Sequence, residues 1–454
     1  MTPPVPSLDA LDDPPLPAAA EGIARARRLV SPRTGLIKDV VYVEIAPDDP
    51  PLHRALATPA DAAAAGGRMA MSRGGAVSAD RERVVLKAVG ESVERYCSAQ
   101  WDEGSLTTAT YDELGAEAVA PDEFALFTAE QYDEPGFRWS PFRSDTAVRW
   151  AQGTSLVTGQ LRYVPAAFVY VPYGAEPASG PLWMPISSGL ACAPSLAHAI
   201  YRASLEPIER DAFMVVWRNQ LTRPRIDLES VDDDLVRRLV AAWDGLPFQC
   251  HAIVLTLDIP VTVILGLLTS ESGRWPLSVV GLGVDLSPRR ALTLALEELA
   301  QGFIGMRRIA AQDPDWRPAD DYGDIDTVTR HGHAHAVDER LRPTVDFLLS
   351  GDLLDIDEFP DRSGPSPGAN LRTVVEDLSS LGLDAIAVDL TTEDVDAAGL
   401  KVVRVVIPGL QPLDVNHTIQ YRGGRRLYEL PWRLGVRDGP TPAHELNPAP
   451  HPFP

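Results

Sequence analysis

Glu206-Pro207-Ile208-Glu209-Arg210-Asp211, one turn after Arg202, is the stretch that decides how this chain is read. On a helix, positions three and four apart are neighbours, so Arg202, Glu206, Glu209 and Arg210 fall on one stripe. The pattern returns at Glu91-Ser92-Val93-Glu94-Arg95-Tyr96. Solvated faces with surface ion pairs are the plain alternative, and such pairs contribute little. Both copies, however, are set among apolar residues (Val93 and Tyr96; Leu205, Ile208, Ala212 and Phe213), which points to half-buried faces. Pro207 removes one backbone hydrogen bond in mid-helix and predicts a bend beside the carboxylates. If the two pairs meet, four carboxylates cannot stay ionised together without compensating cations. Mg²⁺ takes carboxylate and phosphate oxygens together, which makes Glu91, Glu94, Glu206 and Glu209 candidate metal ligands. Arg95 and Arg210 would then supply fixed charge for phosphate.

The rest of the composition sets bounds. A chain of 454 residues buries a large core in one large or two medium domains. The net charge of −23 argues against a nucleic-acid or anionic-membrane surface. It leaves room for a bound nucleotide. Cys97, Cys192 and Cys250 have no paired spacing, so neither a disulfide framework nor a zinc site is expected. No apolar run approaches membrane-spanning length and no signal peptide opens the chain, so a cytoplasmic protein is expected.

Three domains of text are expected: a disordered arm over residues 1–30, a main domain over 31–420, and a C-terminal segment over 421–454. Within them, strands are expected at residues 40–45, 162–173, 182–186, 252–257, 261–267, 278–284, 385–389 and 401–406. Long helices are expected from the loop Ser72–Ser78 to about 101, over 195–217 and over 288–311, with shorter ones in 225–247, near 336–349 and at 371–381. The fold class is α/β (α+β), with mixed sheets packed by long helices. The third long helix carries Glu297, Glu298 and Gln301, then Arg307. His331, His333 and His335 alternate, but with no Cys or carboxylate at helical spacing they read as a loop and helix start rather than a metal site. The chain closes on Pro448, Pro450, Pro452 and Pro454, a stiff polyproline rod rising about 3.1 Å per residue.

Together these stretches resemble the YcaO family. The first motif matches at Ala88, Glu91, Glu94, Arg95 and Tyr96. The second matches at Ser187-Ser188-Gly189-Leu190-Ala191, Ala199 and the Glu206–Ala212 run, followed by Trp217-Arg218-Asn219. Glu298 and Gln301 match a later Glu-x-x-Gln, with Arg307 beyond it; residues 399–415 match a closing α/β segment. The proline tail resembles the terminus of the azoline-forming branch. The resemblance implies an ATP-dependent cyclodehydratase acting on ribosomally made precursor peptides. A Cys, Ser or Thr side chain adds to the preceding backbone carbonyl, ATP phosphorylates the oxygen, and phosphate leaves a thiazoline or oxazoline.

It further implies ATP and Mg²⁺ as cofactors, with Arg73, Ser78, Glu91, Arg95, Glu206, Arg210, Glu298, Gln301 and Arg307 at the nucleotide. Arg210 and the terminal carboxylate of Pro454 are the implied catalytic groups. A separate ThiF-like leader-binding partner, a flavin-dependent azoline dehydrogenase acting later, and a homodimer are the associated expectations. The sequence departs from the family at Pro194, where many members have Asn, and at His198, where they have Glu. His198 could still be a metal ligand, two turns before Glu206. The departures allow a catalytically silent assembly subunit; a thioamide- or amidine-forming member is a further alternative, against which the proline tail argues.

Overall fold

A computed structural model describes residues 5–44, 46, 49–50, 52–60, 73–174, 176, 179–270 and 275–454. Four helices place the residues singled out above. Helix α1 (Arg81–Ala99) starts where Asp80 accepts hydrogen bonds from the Glu82 and Arg83 amides. Helix α2 (Leu196–Asn219) is capped by Ser195 and ends where Gln220 turns left-handed. Helix α3 (Pro288–Gln312) opens with proline in its first turn, and α4 (Val328–Val337) is capped by Thr327. Proline and hydroxyl or carboxylate caps satisfy donors that a helix start leaves open.

Three sheets receive these helices. A six-stranded sheet runs Thr107–Ala109, Val148–Ser155, Ile386–Asp389, Lys401–Val406, Leu190–Ala193, with Leu161–Pro165 paired to the second of these. Nearly every face of α2 is buried, and it lies between this sheet and the helix Pro367–Ser380. A five-stranded sheet runs Ser278–Asp285, Thr262–Ser270, Phe248–Val254, Arg225–Ile226, Leu353–Leu354, and α3 covers its first two strands. An antiparallel three-stranded sheet (Ile37–Tyr42, His53–Pro59, Gly74–Ser78) carries α1. The fold class is therefore mixed α/β, as the sequence implies.

Several local expectations are corrected. Ser72 and Ile45, and residues 1–4 of the arm, lie outside the described residues. The expected loop before α1 is a strand, because Gly74–Ser78 pairs with residues 53–57. The arm is ordered from residue 5 onward: Val5 and Leu11 join the main core, and Asp13 accepts from the Gly368 amide. A helix, Ala19–Arg28, follows within the same arm. No strand forms at 182–186. The histidines 331, 333 and 335 lie inside a helix, fully buried. α2 continues unbroken through Pro207.

Candidate active site

The two Glu-x-x-Glu-Arg helices do come together. Each carboxylate is first engaged by a donor from its own neighbourhood. Glu91 accepts from the Gly75 amide at 2.8 Å and from Arg95 at 3.3 Å. Glu94 accepts from the Cys192 amide at 2.7 Å, and Glu206 from the Gly189 amide at 3.1 Å. Arg210 lies between Glu206 (3.3 Å) and Glu209 (3.1 Å). Glu298 of α3 accepts from the Leu282 amide.

Burial pushes Glu94 up to about 8, with Glu91 and Glu206 adding repulsion that Arg95 only partly offsets. Burial also pushes Glu209 up to about 8, with Glu298 and Glu206 adding to it against Arg210. Glu298 is raised for the same reason. Five carboxylates therefore share one field, and the arginines at hand do not neutralise it. Among the described residues no three His, Cys, Asp or Glu side chains stand at metal-ligating spacing. A cation would have to draw the carboxylates off the donors that now hold them. A hard divalent ion fits this donor set, since what the cluster lacks is positive charge and what it offers is carboxylate oxygen.

Gly189 shows why the second motif needs glycine. Its φ is +89°, and a Cβ there would lie 2.3 Å from the Val405 carbonyl oxygen. Only glycine lets this strand end lie against Lys401–Val406 while aiming its N–H at Glu206.

A cationic group flanks the carboxylates. Arg290 is lowered to about 10 by burial and by Arg83 and Arg202. His198 is held down to about 4 by burial and by Arg202 and Arg290. The charged groups acting on His198 are thus arginines and Asp13, not the glutamates, which places it on the cationic side rather than among the carboxylates. Lys87 bridges Glu297 (3.1 Å) and the Val77 carbonyl, and Ser78 donates to Glu297 at 2.9 Å. Arg73 is exposed at the start of its strand. Arg307 is paired with Asp49 at 2.9 Å. Gln301 is half-buried one turn beyond Glu298.

Two groups were given no role by the sequence reading. Arg404, 3% exposed within an apolar strand, donates to the Ile186 carbonyl and feels Glu206 and Arg95. A lone arginine in the run Lys401-Val402-Val403-Arg404-Val405-Val406 was the available signal. Asp211 accepts from the Gln411 amide and from Arg426, fixing α2 to the closing segment. Arg210, Pro207 and Arg404 also line an apolar cavity of about 80 Å³ with Phe124, Phe168 and Trp183.

The proline tail is buried beside this cluster. Phe453 is 6% exposed and lies under Arg210, whose guanidinium carbon is 4.1 Å from the ring centre. Trp217 and Arg218 donate to tail carbonyls, so that stretch of α2 serves the tail.

Mixed sheets, paired acidic helices and a docked tail make an α/β fold in which a carboxylate cluster is flanked by cationic side chains. Residues 78–411 match the family described as YcaO cyclodehydratase, ATP- and Mg²⁺-binding, and the chain belongs to that family. An uncharacterized protein of Methanothermobacter thermautotrophicus is 27% identical over 355 residues, covering 77% of this chain and 83% of that one. A heterocyclase solved in complex with substrate and cofactor superposes with TM-score 0.82 at 23% identity, covering 99% of this chain and 59% of the other. The heterocyclase TruD gives 0.71 at 23% identity, with coverage of 99% and 56%. The YcaO of Methanopyrus kandleri bound with AMPPCP and Mg²⁺ gives 0.61 at 20% identity, with coverage of 87% and 91%. The chain thus spans under three fifths of the two heterocyclase chains. No helix among the described residues is long and apolar enough to cross a membrane.

Proposed function

We propose that this chain is the ATP-dependent cyclodehydratase component of an azoline-forming pathway and acts on a ribosomal precursor peptide in the cytoplasm. The observation that carries this reading is the carboxylate cluster of Glu91, Glu94, Glu206, Glu209 and Glu298, coupled through Arg210 to the tail. Mg²⁺ bound there would screen a triphosphate; the Cys, Ser or Thr side chain would add to the preceding carbonyl carbon, the resulting oxyanion would take the γ-phosphoryl group of ATP, and phosphate would leave with that oxygen as the ring forms.

The chain's own residues would then divide the work. The glutamates hold the cation. Arg83, Arg202, Arg290 and Lys87, with Ser78, offer a cationic wall for phosphate. Arg210 keeps Glu206 and Glu209 in place and positions Phe453. The terminal carboxylate of Pro454 would lie towards the reacting amide, where it would orient the peptide or accept a proton. Leader-peptide capture by a separate ThiF-like protein belongs to the same proposal.

The test is ring formation, read as loss of one water per ring by mass spectrometry, with ATP, Mg²⁺ and a candidate precursor, with and without that partner. Sulfur-for-oxygen exchange in the product would instead favour a thioamide-forming member. A second reading, a catalytically silent subunit, is favoured by His198 and Pro194 at positions where the family carries Glu and Asn. Calorimetry with ATP and Mg²⁺ separates the two: no binding at millimolar nucleotide would select the silent subunit.

A further inference from the structure

The tail after Asn447 presents many carbonyls and few N–H groups, because Pro448, Pro450, Pro452 and Pro454 have none. The carbonyls of such a rod can be satisfied only by donors reaching in from outside. Four side chains provide them. Arg218 donates to the Asn447 carbonyl at 2.8 Å, and Trp217 to the Ala449 carbonyl at 3.2 Å. His335 Nε2 reaches the Pro450 carbonyl at 2.8 Å, and His331 Nδ1 the His451 carbonyl at 3.2 Å. His451 is itself fixed, its Nε2 bonded to the Asp414 carbonyl at 2.7 Å and its ring stacked on His331 with centres 3.8 Å apart.

A carbonyl only accepts, so each of the three rings donates through the nitrogen named, and burial holds all three below the ordinary histidine range. The other nitrogens, Nε2 of His331 and Nδ1 of His335 and His451, are buried without a partner among the described residues. All three residues are fully buried. A second proton on any ring would create a buried N–H with nothing to accept it.

We propose that His331 and His335 are positioning residues: as neutral donors from α4 they clamp the tail so that Phe453 stays under Arg210 beside the carboxylates. The groups facing the clamp are Arg218, paired with Asp414, from α2 and the closing segment; Asp338 after α4; and His417 and Arg422. Burial and the Arg218 charge act against protonation of His331 and His451, while Asp338 only slightly favours it at His335. The clamp predicts that the tail loosens in acid.

The clamp is geometric; its effect on ring formation rests on the proposed function. Amide hydrogen exchange at His451 and Phe453 reads the clamp without any turnover. His335→Phe and His331→Phe keep a flat aromatic ring, somewhat larger than imidazole, and remove the donor, and should raise that exchange at least about tenfold at pH 7. His335→Gln and His331→Asn each keep a donor at the nitrogen used and should stay within about twofold of the natural protein. Should a Phe variant fail to fold, the double His331→Asn, His335→Gln protein decides. Between pH 7 and pH 5 it should lose clearly less tail protection than the natural protein, with only His451 of the three rings left to respond. Phe variants with unchanged exchange, or a double variant that loosens in acid like the natural protein, would overturn the clamp. Raised exchange with full ring formation would support the clamp and refute the tail's part in the chemistry.

Discussion

Gly332→Ala isolates what the end of the tail does. Gly332 lies on α4 against Pro454: a Cβ there would be 2.7 Å from the proline Cβ, 3.1 Å from its Cα and 3.2 Å from the Met306 sulfur. Ordinary contact begins near 3.4 Å, so something must move by about 0.7 Å. The helix will not be the part that yields, since it is buried and clamped, and alanine favours helix over glycine by about 1 kcal/mol. Pro454 is partly exposed, so it is the part displaced. A displacement on the order of 1 Å in a reacting group costs up to about 100-fold in rate. Gly332→Ala should therefore melt at or above the temperature of the natural protein and bind ATP with unchanged affinity by calorimetry. Its ring-formation rate, followed by mass spectrometry at saturating ATP, should fall about 10- to 100-fold. Wild-type cyclisation with an unaltered melting temperature would remove Pro454 from the reaction.

Glu94→Gln and Glu209→Gln imitate the protonated carboxyls that burial already favours, so the metal-free fold should hold while Mg²⁺-dependent ATP turnover falls at least about tenfold; near-normal turnover in both would sink the metal assignment. Gly189→Ala forces a side chain to φ +89° against the Val405 carbonyl, and should cost about 1–3 kcal/mol in urea unfolding, with loss of the Glu206 contact. His335 and His417 are both depressed from 6.5 to about 4 by burial, so the unfolded chain takes up their protons first. Their contribution is complete above pH 6.5 and is lost as pH falls towards 4, at about 1.4 kcal/mol per pH unit for each ring; flat urea midpoints between pH 6.5 and 4.5 would contradict this.

The acidic helices were legible because their chemistry sits at three- and four-residue spacing on a single element. Their partners were not. Gly75, Cys192 and Leu282 contribute backbone amides from strands outside the acidic helices, and no side-chain pattern marks an amide. Arg404 was hidden for a related reason: its strand reads as core, and only the meeting of sheet and α2 gives it Glu206. The alternation of His331, His333 and His335 looks like period two, yet the segment is a helix whose His331 and His335 stand one turn apart towards the tail. The tail was legible as an extended rod; that it would be buried was not, because the groove belongs to α2 and α4. His198 sat at the right helical spacing for a ligand, but Arg202 and Arg290 set its surroundings, and Arg290 comes from α3.

The wall that receives the tail also decides what else could lie there. Trp217, Arg218, His331 and His335 all offer donors to it. An ordinary extended peptide would bring an N–H at nearly every residue, and each one left buried without an acceptor costs about 1–3 kcal/mol. Prolines at alternate positions roughly halve that penalty for this segment, and the Ala449 amide is taken up by the Asn447 side chain. A protein proposed to handle extended peptides all day thus keeps one groove closed to them: its own terminus competes for the site by lacking hydrogens, and a substrate cannot imitate it without becoming proline-rich itself.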